Sequence, residues 1–266
     1  MGCLFSRFGF FQNSRQHLEE EKPEPKQYSW DLKRDTLNVK DYILDGVKGE
    51  TVGRLPGTVN GQQFVIQNCQ DCNIYIFDHT ATVTVDDCVN CNVFLGPIKT
   101  SVFIRDCKNC KFVVACQQFR TRDCSQIDIF LCCGTQPIIE SSSGMRFGCF
   151  QYFYPQLAGQ FEMASLSVYN NSWSTIHDFT QDPTETHFSL LPQDAKCDAY
   201  VPIPTSEPFD NMQISLEMEK SIIPLTLGER RKPSDESCLL VFFSDGSSHD
   251  RSHNYIELMR ANHVSP

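Results

Sequence analysis

A cysteine pair recurs in this chain every nineteen residues. Asn68-Cys69-x-Asp71-Cys72 is followed by Asp87-Cys88-x-Asn90-Cys91 and by Asp106-Cys107-x-Asn109-Cys110. A degenerate fourth copy, Asp123-Cys124, comes after seventeen. Each copy leads into an apolar run: Ile74-Tyr75-Ile76-Phe77, Val93-Phe94-Leu95, Phe112-Val113-Val114, then Ile127-Asp128-Ile129-Phe130-Leu131. Two physical readings compete. Fifteen residues separate Cys72 from Cys88 and Cys91 from Cys107, which satisfies a four-cysteine zinc template. Against zinc, three equivalent pairs do not divide into fours, and zinc explains only the cysteines. The acid, the amide and the apolar run repeat with them. Self-similarity at this period marks a solenoid. In a parallel β-helix successive coils lie about 4.8 Å apart. Cys69, Cys88, Cys107 and Cys124 would then stack as small buried hydrophobes. The Asp and Asn positions would turn the corners, where they tolerate the left-handed region. The reading favoured is all-β, a parallel β-helix with no metal site.

The 266 residues carry a net charge of −10, which argues against a nucleic-acid partner. No apolar run approaches the roughly 20 residues that span a bilayer. Fourteen cysteines without a secretory signal suit a reducing cytosol. The start, Met1-Gly2-Cys3-Leu4-Phe5-Ser6, fits the myristoylation pattern at Gly2. One myristoyl chain binds membranes only marginally, and Cys3 offers a second anchor by S-palmitoylation. Four segments are expected: an acylated flexible tail over 1–36, the β-helix over 37–180, an irregular linker over 181–237, and a remnant over 238–266. The remnant begins with a strand-like run at 238–243 and has a short helix at 255–260. It reads as the opening of a truncated domain.

One coil breaks the pattern. In Cys116-Gln117-Gln118-Phe119-Arg120-Thr121-Arg122-Asp123-Cys124 an apolar strand runs into two amides, an aromatic and an arginine. Counting nineteen back places Arg120 over Ser101 and Phe119 over Thr100; counting twenty forward places Arg120 at Glu140. A carboxylate there would orient the guanidinium through charge-assisted bonds. The competing reading is a solvated surface pair worth under about 1 kcal/mol. Farther along, Trp173 and His177-Asp178-Phe179 would widen a docking surface, because an aromatic among polar residues often marks an interface; local packing is the alternative.

The cysteine-rich coils and Gln117-Gln118-Phe119-Arg120 resemble the tubulin-cofactor-C domain family. Met1-Gly2-Cys3, Gln27-Tyr28-Ser29-Trp30-Asp31, Glu50-Thr51-Val52-Gly53-Arg54-Leu55-Pro56-Gly57 and Gln136-Pro137-Ile138-Ile139-Glu140-Ser141-Ser142-Ser143 narrow the resemblance to an acylated member. The similarity covers roughly residues 1–245. It implies a right-handed β-helix that is not itself an enzyme but activates GTP hydrolysis by an Arf-like small GTPase in its GTP state. It implies Arg120, Gln117 and Glu140 as the catalytic set, and Thr100, Ser101, Gln117, Gln118, Phe119, Arg120 and Phe179 as contacts to GTP or the GTPase. The chain would need no cofactor beyond the partner's GTP and Mg. It would act at the cytoplasmic face of the plasma membrane and the ciliary base, regulating trafficking of lipidated ciliary cargo. Tubulin-related folding machinery is a further implied partner. The resemblance also implies a nucleoside-diphosphate-kinase-like domain, of which 238–243 would be the first strand. Two other functions compete: a non-catalytic membrane-anchored effector or scaffold for a small GTPase, and a zinc-dependent assembly module.

Overall fold

The computed structural model describes residues 38–231, 236 and 238–262. Twelve strands follow in order: β1 (Ile43–Asp45), β2 (Thr51–Arg54), β3 (Phe64–Gln67), β4 (Asn73–Ile76), β5 (Val83–Asp86), β6 (Asn92–Arg105), β7 (Lys111–Arg122), β8 (Ser125–Cys133), β9 (Ile138–Glu140), β10 (Ser143–Cys149), β11 (His177–Asp178) and β12 (Phe188–Leu190). Every ladder between them is parallel. One face stacks β1, β3, β5, the end of β6, the end of β7, β9 and β11. The other stacks β2, β4, the start of β6, the start of β7, β8, β10 and β12. The parallel β-helix read from the repeat is the fold.

The repeat performs two jobs. Asn68, Asp71, Asp87, Asn90, Asp106, Asn109 and Asp123 all have φ between 51 and 56°, the left-handed corner that short polar side chains accept. Their amides also link coils: Asn109 Nδ2 donates to Asn90 Oδ1 at 2.7 Å, and Asn90 Nδ2 to Asp71 Oδ1 at 2.9 Å. The cysteines point inward. Every described cysteine is a free thiol, and all but Cys238 are buried. Cys69, Cys88, Cys107 and Cys124 each donate to the carbonyl two residues back, at 3.1–3.3 Å. Burial pushes the Cys72, Cys116, Cys132 and Cys197 thiols up, so they stay protonated. Among the described residues no group of three or more His, Cys, Asp or Glu is arranged to hold a metal ion.

A second core lies outside the coils. Tyr75, Phe77, Phe94, Val113 and Phe130 on the outer face of the second sheet are covered by Tyr152, Tyr154, Leu157, Phe161, Leu191, Val201, Phe209 and Ile223. Of the expected irregular linker over 181–237, the described residues 181–231 are mostly irregular apart from β12, and they pack against the solenoid as part of the fold. They bury Leu191, Cys197, Val201, Phe209, Met212 and Ile223 onto the solenoid. The expected strand at 238–243 does not form. Leu239, Leu240, Val241 and Phe243 are 50–87% exposed, since no neighbouring strand accepts their backbone. The short helix α1 spans Leu157–Met163. The expected helix near 255–260 is α2, Ser248–Ala261, a full 14 residues.

Candidate functional site

Arg120 lies near the end of β7, on the strand's outward alternation between Gln118 and Arg122. Its register differs from the nineteen-residue count. Residues 92–95 pair nineteen ahead, Asn92 with Lys111 and Leu95 with Val114. Two register shifts follow at the corner, and from Ser101↔Gln118 onward the step is seventeen. Arg120 therefore stacks on Phe103, not Ser101, and beneath Ile138; Glu140 stacks on Arg122. Phe119 moves with the register. It stacks on Val102, is fully buried, and meets Phe147 edge-on at 6.0 Å, so it is a core residue and not an interface one.

The hydroxyls move too. Ser101 Oγ donates to Gln118 Oε1 at 3.1 Å, while Thr100 Oγ1 donates to the Ala81 carbonyl and lies 2.7 Å from the Thr82 hydroxyl. Neither sits beside Arg120. Gln117 lies at the corner, its amide over Gly134. A Cβ built at Gly134 would stand 2.7 Å from Gln117 Oε1. Gly134→Ala is expected to displace that flexible amide while shifting stability by no more than about 0.5 kcal/mol. Side-chain amide resonances together with the urea midpoint check both halves.

Arg120, Glu140 and Phe179 do come together. With Phe103, Arg105, Arg122 and Ile138 they line a shallow depression of about 260 Å³. The basic residues around it differ in how they are held. Arg105 grips Asp86 with two bonds of 2.6–2.7 Å, and Arg122 reaches Asp123 at 3.3 Å. Arg120 is exposed and makes no hydrogen bond or ion pair among the described residues. Glu140 shares its depression without pairing to it, so the expected orienting bond is absent in the chain alone. Phe179 is 63% exposed and carries the His177 ring edge-on at 4.6 Å. Trp173, by contrast, is fully buried. Its Nε1 donates to Thr226 Oγ1 at 2.9 Å under the Arg230 guanidinium, so it packs the fold instead of widening a surface.

Arg105, Arg122, Phe103 and Ile138 were not singled out from sequence. A step of seventeen, already visible between Cys107 and Cys124, would have put Phe103 next to Arg120 and paired Arg105 with Arg122. Chemically the site presents one unpaired guanidinium on a rigid strand, next to an unpaired carboxylate and a bare aromatic. That arrangement suits an incoming anionic group on a partner surface. Gly2 and Cys3 lie outside the described residues, as does the 27–31 stretch. No helix among the described residues is long and apolar enough to cross a membrane.

The family model for tubulin binding cofactor C matches residues 61–179, which include β3 to β11 with Arg120, Glu140 and Phe179. The chain is 62% identical over 249 residues to Protein XRP2 of Xenopus laevis, covering 92% of this chain and 69% of that one. Identity to Protein XRP2 of Homo sapiens is 62% over 245 residues, with the same coverage. Tubulin-specific chaperone C of Homo sapiens is 31% identical over 86 residues, covering 31% of this chain and 25% of that protein. The chain belongs to the XRP2 family, and its β-solenoid is the tubulin binding cofactor C domain.

Proposed function

We propose that this chain activates GTP hydrolysis by an Arf-like small GTPase, inserting Arg120 in trans at a membrane surface. The observation that carries this is the contrast between the arginines. Arg105 and Arg122 are held by carboxylates, whereas Arg120 stands exposed and unpaired between Gln118 and the depression it shares with Glu140 and Phe179. An arginine that stabilised the fold would have a partner. One meant for a partner's phosphates must be free until docking.

Phosphoryl transfer spreads charge over the transferred group and the leaving oxygen, and a guanidinium supplied from outside stabilises it. Glu140 would orient the Arg120 fork once the interface excludes water. Gln118 extends the same strand face toward the partner. Phe179 would dock against the GTPase as the buried anchor. The hydrolytic machinery, GTP and Mg belong to the partner, so the chain is an activator and not itself an enzyme.

Acylation at Gly2 and Cys3 places the chain at the cytoplasmic face of the plasma membrane and the ciliary base, where it would regulate release of lipidated ciliary cargo. The likeness to tubulin-specific chaperone C suggests tubulin-related folding machinery as a further partner.

Single-turnover hydrolysis tests the activity: adding the full chain to a GTP-loaded Arf-like GTPase should accelerate hydrolysis. Binding without acceleration would leave only a scaffold. For the anchor, Gly2→Ala should move the protein from the membrane pellet to the soluble fraction. A variant that stays pelleted overturns the acyl anchor.

A further inference from the structure

We propose that Asp178 is a positioning residue for this site, one carboxylate that fixes both Phe179 and the turn after Glu140. This rests on the activity proposed above.

Phe179 poses a physical problem. It is a large apolar ring, 63% exposed, at the end of a strand only two residues long. The backbone bonds at its two ends are His177 N to Pro137 O at 2.8 Å and Phe179 N to Ile139 O at 2.9 Å, beside its short ladder with β9. So short an edge strand would fray without another anchor. Asp178 supplies it. Alternation turns its side chain inward, where it is 7% exposed. Oδ1 accepts from Thr180 N at 2.9 Å and from Thr180 Oγ1 at 3.1 Å. Oδ2 meets His187 Nδ1 at 2.7 Å.

Each partner leads elsewhere. The Thr180 hydroxyl accepts from Ser141 N at 2.8 Å, and Ser141 is the left-handed residue (φ 46°) directly after Glu140. The His187 carbonyl accepts from Met145 N at 3.0 Å, and Phe188 then pairs beside Met145. One buried group thus ties three segments: the turn carrying Phe179, the turn following Glu140, and the far end of the 179–187 loop. Burial pushes the Asp178 carboxyl up, but the Thr180 and His187 bonds outweigh it and hold it below the usual carboxylate range. It therefore remains a charged acceptor near neutrality.

The network ends on backbone groups, at Ser141 N and Met145 N, and bonds neither the Arg120 nor the Glu140 side chain. Asp178 should therefore govern docking and not the rate of the docked complex. With a GTP-loaded Arf-like GTPase, Asp178→Ala should raise the concentration giving half-maximal stimulation by about tenfold or more. The saturated rate should stay within about threefold of wild type, the signature of lost uniform binding. Asp178→Asn keeps an acceptor for Thr180 and should restore most of the loss. In a double-mutant cycle, Asp178→Ala added to Phe179→Ala should cost far less than alone, because both remove one docking element. Additive losses, or a fall in the saturated rate with half-saturation unchanged, would overturn the proposal. Failure of the activity itself looks different: wild type would not stimulate, or Arg120→Ala would stimulate as well as wild type. Hydrogen exchange decides independently of any partner. In Asp178→Ala and in the milder Thr180→Val, the Ser141 amide should exchange at least tenfold faster, with β7 amides unchanged. Unchanged protection at Ser141 in both variants sinks the idea.

Discussion

Arg120→Ala is expected to lower the stimulated hydrolysis rate by about 10³–10⁵-fold, the range over which an arginine supplied in trans acts. The fold should not notice. Arg120 has no intramolecular partner among the described residues, so removing it breaks no ion pair and leaves no buried group unsatisfied. The unfolding free energy should change by less than about 0.5 kcal/mol. Binding of the GTP-loaded partner should be weakened little, because Phe179 and the surrounding surface remain. Arg120→Lys should recover only a small part of the rate: an ammonium carries the charge but not the planar fork that bridges two oxygens. Arg105→Ala gives the contrast. Its guanidinium is already occupied by Asp86, so its loss should reduce the rate far less. Single-turnover measurements at saturating activator separate these cases. An Arg120→Ala variant that hydrolyses at the wild-type rate would refute the catalytic role and leave a binding module.

Much of the fold was legible because a solenoid writes its period into the chain. Asp and Asn recur where the backbone turns left-handed, and cysteines recur where the side chain is buried in the core of the coils. The site was less legible for a specific reason. Counting residues gives the right neighbour only while every coil has the same length. The coil bearing Arg120 is two residues shorter, and the shortening falls at its corner between Val114 and Gln118, which faces the longer Leu95–Ser101 corner of the coil before. The nineteen-residue count therefore slid the site by two positions, chose Ser101 in place of Phe103, and put Phe119 opposite a polar neighbour. The clue was the seventeen-residue gap before Cys124. The second core was hidden differently. Tyr152, Tyr154, Leu191 and Phe209 pack through irregular backbone, which carries no periodicity to read.

The corrected register makes Phe119→Ala the sharpest test of the architecture. Phe119 belongs to an inward ladder with Phe64, Val83 and Val102, each stacked on the last and each fully buried. Its ring also meets Phe147 edge-on, and Phe147 meets Phe188 in turn at 6.5 Å. Truncation to alanine removes the buried ring and leaves a cavity that stacked, hydrogen-bonded strands cannot collapse to fill. The expected cost is about 3–5 kcal/mol. That is a large fraction of the 5–15 kcal/mol by which most domains are stable. It corresponds to a fall in melting temperature of roughly 6–20 °C. In urea the midpoint should drop with little change in slope. At low temperature, where the variant remains folded, Arg120 should still stand on the outward face of the same strand and partner binding should be nearly normal. The outward placement predicts the reverse, weak binding with unchanged stability. A Phe119→Ala protein as stable as wild type would mean that β7 is out of register by an odd number of residues, and Arg120 would then face the core.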